Sequence, residues 1–379
     1  LLYAGTETGV FVSFDDGDHW QSLALNLPNC SVRDLAIRRG DLVIATHGRS
    51  FWVLDDLSPL RQLDGRAASS PFLFAPRTAV RLHPAAFQGT PEPKDEPSAE
   101  NPPRGAVIDY LLPAAASDRV VIEILTEKGD LVRRYASDDK IESPDSQRIQ
   151  VTEDWVHAPA PPPSSAGMHR FVWDLHYAPR PELARGRRGA RTGVWAPPGR
   201  YTVRLTAAGT TRTQPLVVVK DPRVPVSDEA LVRQYELAHR VEDERVRLAV
   251  AYGQALTLRE QAASVSGKAS GDTSAALAEF RNAMEPVAGP PMSLEEFYGS
   301  NEPVAPTTLL RLTLTMARFQ DAIESADADP SPDAAVGFTE RQDLVEQGLS
   351  AWQAFVEAEV PKANRALEAA SLPPLKVGG

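Results

Sequence analysis

The chain has 379 residues, too many for one hydrophobic core, and its 42% hydrophobic and 24% charged residues are those of a folded protein of two or three domains. Its 40 lysines and arginines against 51 aspartates and glutamates leave a net charge of −11, which repels duplexes and anionic membranes and excludes nucleic acid as the expected partner. A single cysteine, Cys30, excludes an internal disulfide framework, the 7 histidines show no metal-ligand spacing, and no apolar run approaches the ~20 residues of a membrane span. No metal and no cofactor is therefore expected.

From Leu1 to Leu63 short alternating apolar runs are separated by turn residues, which predicts strands at Leu2–Gly5, Val10–Phe14, Trp20–Leu23, Arg33–Ile37, Leu42–Thr46 and Phe51–Asp55, with no helix among them. Between two of these runs stands Ser13-Phe14-Asp15-Asp16-Gly17-Asp18-His19-Trp20. It reads as a hairpin turn: Gly17 can take a positive φ, Ser13 and Asp15 can accept hydrogen bonds from turn amides, and Trp20 can pack its ring beneath the loop. Asp15 and Asp16 are neighbours on one hairpin tip and do not form the opposed carboxylate pair that glycoside hydrolysis needs.

A second region follows a proline- and glutamate-rich linker around Pro91–Pro103. Strands are predicted there at Ala106–Leu112, Arg119–Leu125, Leu131–Tyr135, His169–Leu175, Tyr201–Ala207 and Gln214–Val219, which fit a β-sandwich with Greek-key character. Pro197-Pro198-Gly199 sets a tight turn that launches the alternating strand of Tyr201, Val203 and Leu205. The proline-rich stretch Ala158–Ser165 reads as an extended spacer, and Arg185, Arg187, Arg188 and Arg191 as a solvated loop. Trp173, Trp195 and Tyr201 are read as core aromatics before a sugar-stacking platform.

After Asp221-Pro222-Arg223 the period becomes helical. Ser227 can N-cap a helix carrying Asp228 and Glu229 in its first turn and a face of Leu231, Tyr235, Ala238, Val241, Leu248 and Tyr252. A second helix is predicted over Thr273–Met284, a short turn opens at the capping box Ser293–Glu296 and stops at Gly299, and a third helix aligns Leu309, Leu312, Met316, Phe319 and Ile323. The last helix is predicted to open at the capping box Thr339–Gln342, to bury Val345, Leu349, Trp352 and Val356, and to kink or break near Val360 because Pro361 lacks an amide. The whole reads as an antiparallel bundle of about four helices.

The spacing Ser-x-Asp-x-Gly-x-x-Trp at Ser13–Trp20 resembles the Asp-box, or BNR repeat, and Ala45–Asp56 resembles a last-blade segment of bacterial sortilin-like (VPS10-like) β-propeller proteins, often labelled glycosyl hydrolases. The resemblance covers roughly the first 75 residues well. Gly167–Asp174 and Pro197–Leu205 together resemble the last strands of Ig-like modules of the flagellar-hook-cap type. The fold expected is thus multidomain, β then α: last blades of a truncated propeller over residues 1–75, an Ig-like sandwich over 76–222, and a helical bundle over 223–379. A blade normally has four strands, so the first blade here would lack its innermost strand and the second would be the last. Leu1 opens inside a strand with neither initiator Met nor signal peptide, so a C-terminal piece of a longer protein is expected.

What the resemblance implies for function is a non-catalytic accessory region of an exported protein, periplasmic, cell-surface or extracellular, that braces the propeller or docks a partner. Two other readings stand beside it: part of a propeller glycoside hydrolase of the sialidase or xyloglucanase kind acting on polysaccharide, and a propeller that binds peptide or protein. On each reading the glycan or peptide would be held by the intact ring. The structural Asp-box residues are Ser13, Asp15, Gly17 and Trp20, and His47 and Arg49 lie in a turn that can border a ligand face. No catalytic constellation is present: there is no Gly-x-Ser-x-Gly elbow, no phosphate-binding loop, and no base beside Cys30.

Overall fold

The computed structural model describes residues 1–63, 69–83, 101–140, 160–184, 192–292, 296–297 and 303–378. The segment 91–100 of the proline-rich linker, Ala158 and Pro159, the four arginines of 185–191, the residues that open the Ser293 capping box and Gly299 lie outside the described residues. β-Sheets come first and a four-helix region follows. The chain forms two compact units, Leu1–Leu175 with Pro198–Pro222, and His176–Pro197 with Arg223–Gly379.

In the first unit β1 (Leu2–Thr6), β2 (Gly9–Ser13) and β3 (Gln21–Ser22) form one antiparallel sheet. β4 (Val32–Arg38), β5 (Asp41–Thr46) and β6 (Phe51–Leu54) form a second. Alternation decides which side of each sheet is buried. Val10 and Val12 of β2 and Leu42 and Ile44 of β5 enter one shared core with Leu23, Leu27, Cys30, Val32 and Leu57. β1 lies over β4 at Gly5, where a Cβ would stand 2.6 Å from Val32 Cγ1, so only glycine permits this approach. Against the expectation of an all-strand segment, α1 (Ser58–Gln62) follows β6. Its start is set by Pro59 in the first turn, by the buried Leu57, and by Asp56, whose carboxylate accepts from Ser58 N at 2.9 Å.

The rest of this unit holds β7 (Phe72–Leu73), β8 (Ala79–Arg81), β9 (Ala106–Leu112), β10 (Val121–Thr126), β11 (Leu131–Ala136), β12 (Gly167–Trp173), β13 (Gly199–Ala207) and β14 (Thr210–Lys220). They make a curled five-stranded sheet, β11-β10-β13-β14-β8, and a three-stranded sheet, β12-β9-β7. All pairings are antiparallel except β14 with β8, which closes the edge in parallel. The two sheets meet through ring pairs: Trp173 stands edge-on to Tyr201 at 5.3 Å, and Tyr135 to Phe171 at 4.6 Å. Trp173 and Tyr201 are therefore core residues. The proline-rich loop is anchored from the same core, with Tyr110 Oη donating to the Pro163 carbonyl at 2.5 Å.

The second unit contains α2 (Asp228–Ser266), α3 (Gly271–Ala288), α4 (Leu309–Ile323) and α5 (Pro332–Ala369). Ser227 caps α2 by accepting from Ala230 N at 3.1 Å. The core gathers Val241, Leu248, Leu258, Leu277, Phe280, Met284, Leu312, Met316, Val345, Trp352 and Leu367. α5 opens eight residues earlier than the capping box at Thr339 suggests, at Ser331, whose hydroxyl accepts from Ala334 N at 3.1 Å ahead of Pro332. Thr339 is interior to the helix and returns its hydroxyl to the Ala335 carbonyl at 3.3 Å. Nor does α5 stop near Val360: it continues past Pro361, with Val360, Ala363 and Leu367 buried on either side. Packing of these residues outweighs the one missing amide.

Residues 176–184 and 192–197 belong to this unit as two paired arms. His176 bridges to Trp195, Tyr177 N donates to the Val194 carbonyl at 2.9 Å, and a 3-10 turn runs over Pro181–Leu183.

Candidate functional site

The Asp-box turn is built from the end of β2. Ser13, fully buried, donates to Asp15 Oδ1 at 2.9 Å and accepts from Gly17 N at 2.8 Å. Asp15 then accepts from His19 N at 2.9 Å and pairs with His19 Nδ1 at 2.6 Å. The His19 amide first, and its imidazole second, hold the Asp15 carboxyl down at about 2. Asp16 and Gly17 take φ of 59° and 104°, the left-handed conformations that the tight reversal requires. The Trp20 ring edge lies 3.9 Å from where a Gly17 Cβ would be, and the side chain keeps 43% of its exposure. The hydrogen bonds of Ser13, Asp15 and His19 stay within the turn, while the Asp16 and Asp18 side chains are exposed. The arrangement closes a hairpin.

The turn between β5 and β6 is held by the backbone and by Thr46. Thr46 Oγ1 donates to the Ser50 carbonyl at 2.7 Å and accepts from Arg49 N at 3.1 Å, and Trp52 Nε1 donates to the Arg49 carbonyl at 2.8 Å. His47 and Arg49 are exposed there. Neither side chain makes a hydrogen bond or ion pair with another described residue. Behind the turn, Asp56 and Asp41 are drawn together by Arg77, at 3.7 and 3.0 Å, and Asp41 also accepts from Asp56 N at 2.9 Å. The two acids that end β6 are thus divided: Asp56 fixes the chain reversal, and Asp55 stands beside it.

A polar network lies in the helical unit. Glu242 of α2, only 4% exposed, receives Arg180 Nε at 3.3 Å and has His239 Nδ1 at 3.7 Å, while Arg180 also reaches Asp243 at 2.5 Å. Glu242 raises the His239 pKa above its ordinary value. Tyr177 stacks on Tyr235 at 5.1 Å, and Tyr235 on His239 at 5.7 Å. One turn further on, Arg245 donates to Gln320 at 2.6 Å, Gln320 to Glu324 at 3.0 Å, and Trp195 N to Glu324 at 3.1 Å. Glu244 accepts from Arg247 at 2.7 Å and from Gln342 at 2.8 Å. These carboxylates are each engaged by donors from another element, so the cluster ties the arms 176–184 and 192–197, α4 and α5 to α2. It was missed in the sequence because its pairs are far apart in the chain. One signal was available: Gln234, Glu242 and Arg245 fall in phase with the apolar stripe Ala238–Val241–Leu248, where an unpaired charge would be expelled.

A groove of about 400 Å³ in the same unit is lined by residues that include Asn282, Glu285, Pro286, Pro290, Val304 and Thr308. Among the described residues of its lining, Glu285 is the one titratable group. Among the described residues no group of three or more metal-ligating side chains converges, and no helix is long and apolar enough to cross a membrane.

No family model, curated protein or solved structure matches this chain.

Proposed function

We propose that this chain is the C-terminal accessory region of an exported sortilin-like Asp-box β-propeller protein, in which it performs no catalysis and braces the ring or docks a partner. On this reading β1–β3 and β4–β6 are neighbouring blades, and the two sheets of β7–β14 are an Ig-like sandwich. The observation that carries it is the Ser13–Trp20 turn. An eight-residue spacing that matches the Asp-box also has the bonding that gives such a motif a physical reason to exist, with Ser13 and Asp15 accepting from Gly17 and His19 amides. Support comes too from the second sheet, which shares one hydrophobic core with the first through Val10, Val12, Leu42 and Ile44. Two small sheets cannot close a ring, so further blades would be needed to complete it.

The accessory role rests on the chemistry of the described residues. The buried carboxylates Glu242 and Glu244 are engaged by Arg180 and Gln342 of other elements, and Glu285 is the one acid among the described residues that line the groove. Ligand capture, of a glycan or a peptide, would then belong to the completed ring, with the His47–Ser50 turn on its rim. Reading the coding DNA 5′ to the Leu1 codon tests the proposal. Further Ser-x-Asp-x-Gly-x-x-Trp repeats between alternating strands are expected, and a reading frame without them overturns it. This chain by itself is expected to leave polysaccharides intact, and turnover of any of them would overturn the non-catalytic role.

A further inference from the structure

Beyond α5 the chain turns back onto the bundle. At Ser371 the backbone enters the left-handed region, φ 55°, Leu372 N donates to the Leu367 carbonyl at 2.8 Å, and the stretch Leu372–Gly378 follows without helix or strand. Two side-chain amides take hold of its main chain. Asn364 of α5 donates to the Leu375 carbonyl at 2.9 Å and accepts from Leu375 N at 2.7 Å. Gln261 of α2 does the same to the next residue, donating to the Lys376 carbonyl at 3.1 Å and accepting from Lys376 N at 2.7 Å. Each clamp reproduces the pair of bonds by which one β-strand recognises another. Successive residues of an extended chain present their polar groups to opposite sides, so the two clamps come from two different helices. Further along, a Cβ on Gly378 would stand 3.9 Å from Thr257 Cγ2 of α2. Thr257 and Gln261 are about 6 Å apart along the helix, and an extended chain covers that distance from Lys376 to Gly378, so the stretch runs antiparallel to α2 and in step with it.

The side chains divide between core and solvent. Leu375 is 3% exposed and joins the bundle core, and Leu372 packs against that core, whereas Pro373, Pro374, Lys376 and Val377 are exposed. Leucines three residues apart, with Pro-Pro between them, fall on one face of a polyproline-type helix, a conformation that prolines favour before any contact is made. Little order is therefore lost on docking. We propose that the surface between α2 and α5 around Gln261 and Asn364 is a recognition site for an extended Leu-Pro-Pro-Leu-Lys peptide, which the chain's own Leu372–Lys376 fills in cis and for which a free peptide of the same chemistry competes. The clamps hold backbone and would serve many sequences; the leucine anchors and the proline pair select among them. The site lies wholly in the helical unit and is independent of the propeller reading.

The probe is a fluorescently labelled synthetic peptide of the sequence Ser371–Gly378, titrated against the 379-residue chain and followed by anisotropy. In the wild-type chain the tethered stretch competes at an effective concentration of about a millimolar. The peptide is therefore expected to bind about tenfold or more tightly to Leu375→Glu, whose resident stretch has lost its anchor, than to wild type. Adding Asn364→Ala to Leu375→Glu is expected to weaken the peptide about tenfold, and a peptide carrying the Leu375→Glu change is expected not to bind. Should the Leu375→Glu chain fail to fold, Leu375→Ala, which buries no charge, takes its place. No binding to the opened chain, or equal binding of the native and Leu375→Glu peptides, would overturn the proposal and leave the propeller reading untouched. A dimer of the wild-type chain that Leu375→Glu dissolves would overturn the assignment in cis, in favour of the same stretch from a second copy.

Discussion

Asp15 shows how much of a local device can be read from eight residues. Its partners lie within four positions: Ser13 donates to it, and the amide and ring of His19 approach its two oxygens. Because those contacts favour the ionised carboxylate, its pKa falls from 3.8 to about 2 on folding. The folded-state value is depressed, so the stabilisation is fully present above the unfolded value and is lost as pH falls from about 4 to about 2. Asp15→Asn should flatten the thermal-midpoint profile in that window and leave the slope above pH 5 unchanged. Midpoints measured by circular dichroism from pH 2 to 7 for both proteins would check this, and parallel profiles would contradict it. Arg180 and Glu242 present the opposite case. They stand 62 positions apart, and no local spacing announces their pairing. Their partner choice is fixed only when the arm 176–184 meets α2, which is why the sequence exposes Glu242 as an oddity on an apolar stripe and says nothing about what satisfies it.

Strands and helices were legible to different degrees because their signals differ in range. Alternation is a property of neighbours, and each of the twelve strands expected from it has a counterpart in the structure. The short strands β7 and β8 carry too few residues to show a period; their positions come from pairing with β9 and β14. Helix ends depend on which of several capping residues wins. Two candidates compete at the start of α5, Ser331 before Pro332 and Thr339 before Glu340, and the first wins because Phe338, fully buried, needs the helix already formed to reach the core. Ser331→Ala should therefore cost about 1 kcal/mol in urea unfolding, through loss of the Ala334 amide's partner. Thr339→Ala, in the helix interior, should cost less than about 0.5 kcal/mol. A reversed order would place the functional cap at Thr339.

At the scale of the whole molecule, the change from period two to period 3.6 near Arg223 marks the passage from sheets to helices, and periodicity sufficed to see it. The seating of 176–184 and 192–197 with the helices was not visible, since the residues of two paired arms do not say which core accepts them. The largest claim is that β1–β3 and β4–β6 are consecutive blades of a ring that other segments complete. It explains in one account the Asp-box turn and the single core that two small sheets share. A cryo-electron-microscopy reconstruction of the protein made from the complete reading frame tests it most directly. The account predicts a closed ring of blades with these two sheets adjacent within it. A reconstruction in which the two sheets stand outside any ring would contradict it.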